Sequence, residues 1–271
     1  MVARAQVRAF YDEFFESRMV QYRLFGNRRI ELAARRIEPY VRPGHRVLDV
    51  GCGIGIVTER IAARARGGRV WGIDLGGRNV WYASRTVRKS NVSFFRADIL
   101  TDAGQIRERT GGAFNVITLV DVIEHIPEAE RPGLFVRLRE LSAPNALLIL
   151  TYPSPQYQRH LRRSKPQELQ IIDNVVELPT LLAESGAAGY SLRHYSLEDV
   201  WMRNQYVHCV LQTDDALVEP ARPEPTLGRE IGERVQRATR KAFVLPWRRW
   251  KFVTRVLKEE QRENGPHAVD S

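Results

Sequence analysis

The sequence predicts an α/β fold, a mostly parallel sheet with helices on both faces. Short apolar runs alternate with amphipathic segments of helical length. Each connection is long enough to cross over between parallel strands. One run ends in an aspartate and alternating glycines, Asp49-Val-Gly51-Cys-Gly53-Ile-Gly55, where a strand hands over to a helix.

Residues 6–37 carry apolar side chains at helical spacing, with Val7, Phe10, Phe14 and Phe15, then Ile30, Leu32, Ala33, Ala34 and Ile37. A break near Gly26-Asn27 divides them into two helices of an N-terminal cap over residues 1–40. Strands follow at Arg46–Val50, Val70–Ile73, Ser93–Phe95, Val116–Val120 and Ala146–Leu150, with helices over 56–65, 78–88, 102–109 and 129–141. The prolines of Thr151-Tyr-Pro-Ser-Pro155 are expected to end the sheet and open a long polar loop over 156–175. A helix over 176–185 stops at Gly186. Tyr190–Tyr195 and Tyr206–Leu211, flanking a turn or short helix over 197–204, close the sheet as an antiparallel hairpin, giving seven strands within residues 41–213. Pro220, Pro223 and Pro225 mark a linker over 214–228, and a basic extension over 229–271 holds helical segments near 229–243 and 247–262, divided at Pro246.

A chain of 271 residues with 43% apolar content can bury a large core, which excludes collagen-like, disulfide-framework and fully disordered classes. Cys52 and Cys209 are its two cysteines and neither has a C-x-x-C partner, so a reducing, cytoplasmic setting is expected. No run of about 18 apolar residues occurs. The formal charge of +10 comes from 42 Lys and Arg against 32 Asp and Glu, and half of it lies in residues 229–271, where 11 basic residues face 6 acidic ones. In the central region basic residues do not interleave with spaced aromatics, which disfavours a nucleic-acid partner.

Three alternating glycines between a strand and a helix let a ligand approach the backbone without Cβ obstruction. A dinucleotide fingerprint needs glycine at position 56, which is Ile56, and no Gly-Lys-Ser/Thr follows for a P-loop. Together with Gly72-Ile-Asp74, Ala97-Asp98-Ile99 and Asp121-Val-Ile-Glu-His-Ile126, the turn resembles the class I S-adenosylmethionine-dependent methyltransferase family, firmly over residues 45–150 and weakly to about 212. The loop after the fourth strand resembles those of quinone-biosynthetic and secondary-metabolite members. The resemblance implies a Rossmann-like seven-stranded sheet and S-adenosyl-L-methionine as cofactor.

It also implies site roles. Gly51, Gly53 and Gly55 would lie under the methionine and ribose, with Asp49 ordering the cofactor's amino end directly or through water. Asp74 would accept from the ribose hydroxyls beside Leu75. Asp98 would meet the adenine amino group, with a helix N-cap as its other reading, and Ile99 would pack on the ring. Asp121, Tyr11 and Arg28 complete the cofactor set, Arg28 or Arg29 pairing with the methionine carboxylate.

Ligands of doubly wound sheets sit beyond the strand C-termini, which puts Asp121, Glu124 and His125 beside the cradle. Methyl transfer from a sulfonium needs alignment and sometimes proton removal, and His125 is the candidate catalytic residue. Loop support and substrate orientation are its other readings. Glu124, Tyr152, Tyr157, Gln170 and Trp201 form the candidate acceptor wall, since tyrosines stack and hydrogen-bond; Gln158, His160, Arg162, Asp173 and Asn174 lie in the same stretch. The scattered histidines specify no metal site.

Transfer to a small organic acceptor is the expected function, as an O-methyltransferase of secondary metabolism. N- or C-methylation, an RNA or protein methyltransferase, and a non-catalytic cofactor-binding subunit are the alternatives. No Asn/Asp-Pro-Pro-Tyr/Phe run follows the fourth strand, which lowers the nucleic-acid option. Apolar residues of the tail, among them Trp247, Trp250, Val253 and Val256, admit a homodimer contact, an anionic membrane surface or packing on the chain's own domain.

Overall fold

A computed structural model describes residues 6, 20–170, 172–213 and 244–263. The predicted helix near 229–243, the linker over 214–228 and most of the first leading helix lie outside the described residues. Two helices, α1 (Val20–Phe25) and α2 (Arg28–Ile37), precede the sheet. Then come β1 (Arg46–Val50), α3 (Ile56–Arg64), β2 (Arg69–Asp74), α4 (Gly77–Thr86), β3 (Val92–Arg96), α5 (Ala103–Thr110), β4 (Phe114–Val120), α6 (Arg131–Leu141) and β5 (Ser142–Pro153). The described chain finishes with α7 (Pro155–Ser164), α8 (Leu178–Ala187), β6 (Tyr190–Glu198), β7 (Tyr206–Thr213) and α9 (Val244–Glu263).

The seven strands lie in the order β3-β2-β1-β4-β5-β7-β6. β1 to β5 pair in parallel, and β7 inserts antiparallel between β5 and β6. This is the expected Rossmann-like sheet. Alternation along the strands divides the core. Val47, Val70, Val116, Ile149 and Val210 face α2 and α3, meeting Ile37, Val57 and Ile61. Leu48, Trp71, Ile117, Leu148 and Leu211 face the other way, toward Ile106, Leu134, Phe135, Leu138 and Leu181 of α5, α6 and α8. The chain order reverses between β1 and β4, so the loops after those strands border a crevice.

A third cluster joins both ends of the chain to the middle. Val253 and Val256 of α9 pack on Ile54 and Tyr82, with Leu24 of α1 and Ile56 alongside. The buried stripe of α9 thus serves the chain's own domain, while Trp247 and Trp250 stay exposed. Arg23 of α1 adds polar ties to Glu59 (2.7 Å), the Ile54 carbonyl (3.0 Å) and Thr86 (3.2 Å). No described helix is long and apolar enough to cross a membrane.

Two expectations need correction. β5 does not end at Leu150 but runs through Tyr152 to Pro153, paired with Tyr206 of β7; proline is tolerated at a strand terminus. The stretch after it is not a long loop, because Ser154 caps α7 by accepting from the Tyr157 N–H (3.2 Å) and Pro155 stands in its first turn. Pro246 lies in the first turn of α9, where its missing N–H has no intrahelical partner, and the segment near 229–243 that it was expected to set apart lies outside the described residues.

Gly55 shows what the β1–α3 connection requires. Its φ is +76°, and a Cβ there would sit 2.9 Å from both Phe94 Cζ and Val87 Cγ2. Gly55→Ala is expected to cost about 3 kcal/mol, combining left-handed backbone strain with overpacking. The shift of the urea midpoint at unchanged slope measures it.

Candidate active site

A cavity of about 500 Å³ opens at the C-terminal ends of β1, β2 and β4, within the size range of small-molecule sites. Its floor is the glycine turn. A Cβ on Gly51 (φ +70°) would come 2.4 Å from Val122 Cγ2, so glycine lets the turns after β1 and β4 meet. Asp74, at the end of β2, accepts from the Gly53 N–H with Oδ2 (2.8 Å) and from the Gly76 N–H with Oδ1 (2.8 Å). Asn79 of α4 adds a third bond at 3.1 Å. One carboxylate therefore fixes two turns.

Asp49 is buried beneath this floor and accepts from Thr58 (2.5 Å) and Thr118 (2.7 Å). Burial pushes its carboxyl up to about 6, against the two hydroxyl bonds that favour the ionised form. Asp98, Ile99 and Leu75 line the next stretch of wall. Asp98 does not occupy the N-cap position of α5; that position is held by Asp102, whose carboxylate accepts from the Asp98 N–H (2.9 Å), while Asp98 accepts from the Leu100 N–H (3.0 Å).

The turn after β4 supplies the opposite wall. Asp121 has a φ of 54°, a conformation uncommon for a residue with a side chain. Its Oδ2 pairs with Arg29, and its Oδ1 is buried without a partner. Arg29 stands on the first turn of α2, oriented by Asn27, whose side chain accepts from the Arg29 N–H (3.0 Å). Glu124 is 1% exposed, with Oε1 3.8 Å from His125 Nε2 and Oε2 unpartnered. His125 Nδ1 lies 2.6 Å from the Ile172 carbonyl. A carbonyl only accepts, so Nδ1 carries the proton of this contact and Nε2 is the ring nitrogen on the Glu124 side. Asn174 stitches the same segment down, donating its N–H to the Glu124 carbonyl (2.8 Å) and its amide to the Ile126 carbonyl (2.9 Å).

Asp49, Gly51, Gly53, Asp74, Leu75, Asp98, Ile99, Asp121, Glu124, His125, Tyr157, Gln170 and Trp201 all line this one cavity. Gly55 stands just outside the lining and serves packing instead. Arg28 is exposed, because one helical step turns it away and leaves Arg29 facing inward. Tyr152 is fully buried in the core on β5 and lies off the cavity, since alternation points it below the sheet. Tyr11 lies outside the described residues. Sequence reasoning passed over Asn79 and gave Tyr206 no role. The polar residue five positions after Asp74, at a helix start, was the signal for Asn79. Tyr206 reaches the cavity through the β5–β7 pairing, which no local pattern encodes.

Residues 21–218 match a family described as a methyltransferase domain. The chain belongs to that family. A ubiquinone biosynthesis O-methyltransferase of Psychrobacter cryohalolentis is 35% identical over 109 residues, 40% of each chain. Its counterpart in Burkholderia thailandensis is 39% identical over 85 residues, 31% of this chain and 35% of that one. The chain thus spans no more than 40% of the length of these curated relatives. Among solved structures, a magnesium protoporphyrin IX methyltransferase from Synechocystis with bound SAH superposes with a TM-score of 0.62 at 16% identity, covering 78% of this chain and 100% of that one. A SAM-dependent methyltransferase from Anabaena variabilis gives 0.62 at 16%, covering 79% and 96%. At such identities the likeness is one of fold.

In this methyltransferase domain, burial pushes the Glu124 carboxyl from 4.5 up to about 6, opposed by the neighbouring His125. The folded chain therefore holds a proton that the unfolded chain releases between those values. The stability this contributes is complete below pH 4.5 and is lost as pH rises through about 6. Glu124→Gln is expected to leave stability nearly unchanged at pH 4 and to raise it by about 1–2 kcal/mol at pH 7.5, read from denaturant midpoints at both pH values.

Proposed function

We propose that the chain is an S-adenosylmethionine-dependent methyltransferase acting on a small organic acceptor, with oxygen as the methylated atom. The observation that carries this reading is a glycine turn tied by Asp74 to the β2 turn, facing an unpartnered buried carboxylate oxygen of Asp121 across one cavity. Family membership and the expectation drawn from the sequence motifs point the same way.

The residues present fit the donor. Gly51 and Gly53 leave the floor open to its ribose and methionine portion. Asp74, at the end of β2 and on the cavity lining, accepts from the ribose hydroxyls. Asp98 receives the adenine amino group, Ile99 and Leu75 pack against the ring, and Asp121 Oδ1 accepts from the α-ammonium. Arg29, already beside Asp121, takes the methionine carboxylate. Asp49 acts from below through Thr58 and Thr118, stiffening the floor.

Bound S-adenosylmethionine supplies a methyl group on a cationic sulfur, a carbon that needs no further activation. The protein's part is to align the acceptor, shed water and take up a proton. His125 accepts the proton of the acceptor hydroxyl at Nε2, the ring nitrogen that the Ile172 carbonyl does not engage. The segment over 168–174 closes above it, with Tyr157 and Gln170 on the wall and Trp201 at the rim.

Two variants test these assignments. Asp74→Ala is expected to weaken binding of S-adenosylhomocysteine about a hundredfold by calorimetry, the loss of charge-assisted bonds worth about 1.5–3 kcal/mol each. Retained affinity would contradict the ribose contact. His125→Ala is expected to keep that affinity and lower turnover of an identified acceptor by a factor on the order of 100 or more; unchanged turnover would contradict proton uptake at Nε2. Such an acceptor is found by mass spectrometry after incubating the chain with isotope-labelled methyl donor and extract of its host.

A further inference from the structure

Among the described residues, the half of the cavity beyond the glycine turn is rich in acids and poor in cations. Glu124 and Asp173 both line it. Glu124 is almost fully buried, its Oε2 lacks a hydrogen-bond partner, and its Oε1 is 3.8 Å from His125. Asp173 accepts from the Gln158 amide and from the Gln170 N–H (3.0 Å), contacts that fill lone pairs without bringing a charge. Arg162 donates to the Asp173 backbone carbonyl (2.6 Å). Arg29 is committed to Asp121. Burial pushes the Glu124 carboxyl and the Tyr206 phenol up, and the Asp173 charge adds to both shifts.

Aromatic rings surround the same space. Tyr157 and Tyr206 lie 6.1 Å apart between centroids, and Trp201 lines the mouth with 58% of its surface exposed. Tyr206 already takes a cation on one side, the Arg29 guanidinium 5.8 Å from its centroid. A buried carboxylate that lacks a counter-charge is costly. An entering cation relieves that cost and gains attraction from aromatic faces, whereas an entering anion adds repulsion on every side.

We propose that the acceptor carries a protonated amine, seated between the Glu124 and Asp173 carboxylates and the aromatic rings of Tyr157 and Trp201. The site then selects ammonium-bearing acceptors over carboxylate- or phosphate-bearing ones. The inference rests on the proposed function in assigning the glycine-turn half to the methyl donor and this half to the acceptor. It adds a charge requirement that the shared fold does not carry.

Three phenols of similar size that differ in charge test it: tyramine, uncharged 4-ethylphenol, and 4-hydroxyphenylpropanoate. Each is titrated by ligand-observed NMR into the full chain, free and saturated with S-adenosylhomocysteine. Tyramine is expected to bind at least about tenfold more tightly than 4-ethylphenol, with the carboxylate weakest. Glu124→Gln and Asp173→Asn, each checked for a single cooperative melting transition, are expected to bring the three within about threefold of one another. Two variants at separate positions keep the test open if one fails to fold. Equal binding of the three by the native chain, preference for the carboxylate, or no tyramine binding at millimolar concentration would overturn the proposal. Failure of S-adenosylhomocysteine to bind would instead remove the donor assignment, and the titration of the free chain would still read this subsite by itself.

Discussion

One carboxylate, that of Asp74, sets the geometry on which the site depends. By accepting from the Gly53 and Gly76 N–H groups at once, it locks the turn after β1 to the turn after β2. Both turns are glycine-rich and would otherwise have many backbone states to lose on folding. The Gly51 and Cys52 N–H groups reinforce the link by donating to the Ile73 carbonyl, at 2.8 and 2.9 Å. The floor of the cavity is therefore rigid backbone whose polar groups are paired, as a buried turn requires.

The walls are held from far along the chain. Arg29 arrives on a helix that precedes the sheet, and Arg23 ties α1 to the loop entering α3. α9, near the other end, covers Ile54 and Tyr82. Across the cavity from the glycine turn, the segment over 172–174 is pinned to the post-β4 turn by His125 and Asn174. The His125 Nδ1 proton holds that segment through the Ile172 carbonyl, and this contact uses one ring nitrogen only. Loop support, one reading of His125 in the sequence, therefore does not exclude the proton uptake proposed for it.

Much of the fold was legible because the sheet writes itself locally. Each strand interior stands in the sequence as a short apolar run between helical segments, and the alternating glycines place the cradle. What escaped reading was set by single-residue geometry or by distant pairing. Arg28 and Arg29 have the same chemistry, and only the 100° step of the helix decides which faces the cavity. Tyr152 and Tyr157 sit five residues apart, yet one points into the core from a strand and the other into the cavity from α7. The start of α7 was written in Ser154-Pro155 as a cap and first-turn proline, a signal outweighed by reading the prolines as breakers. The burial of Glu124 depends on the 168–176 segment folding back, which no local pattern records.

The central claim is that the cavity accepts an adenosyl sulfonium donor. Calorimetric titration of S-adenosylhomocysteine into the unmodified, folded chain tests it most directly. One-to-one saturation with a dissociation constant on the order of micromolar is the expected result. Absence of heat and of saturation up to millimolar ligand would contradict the account.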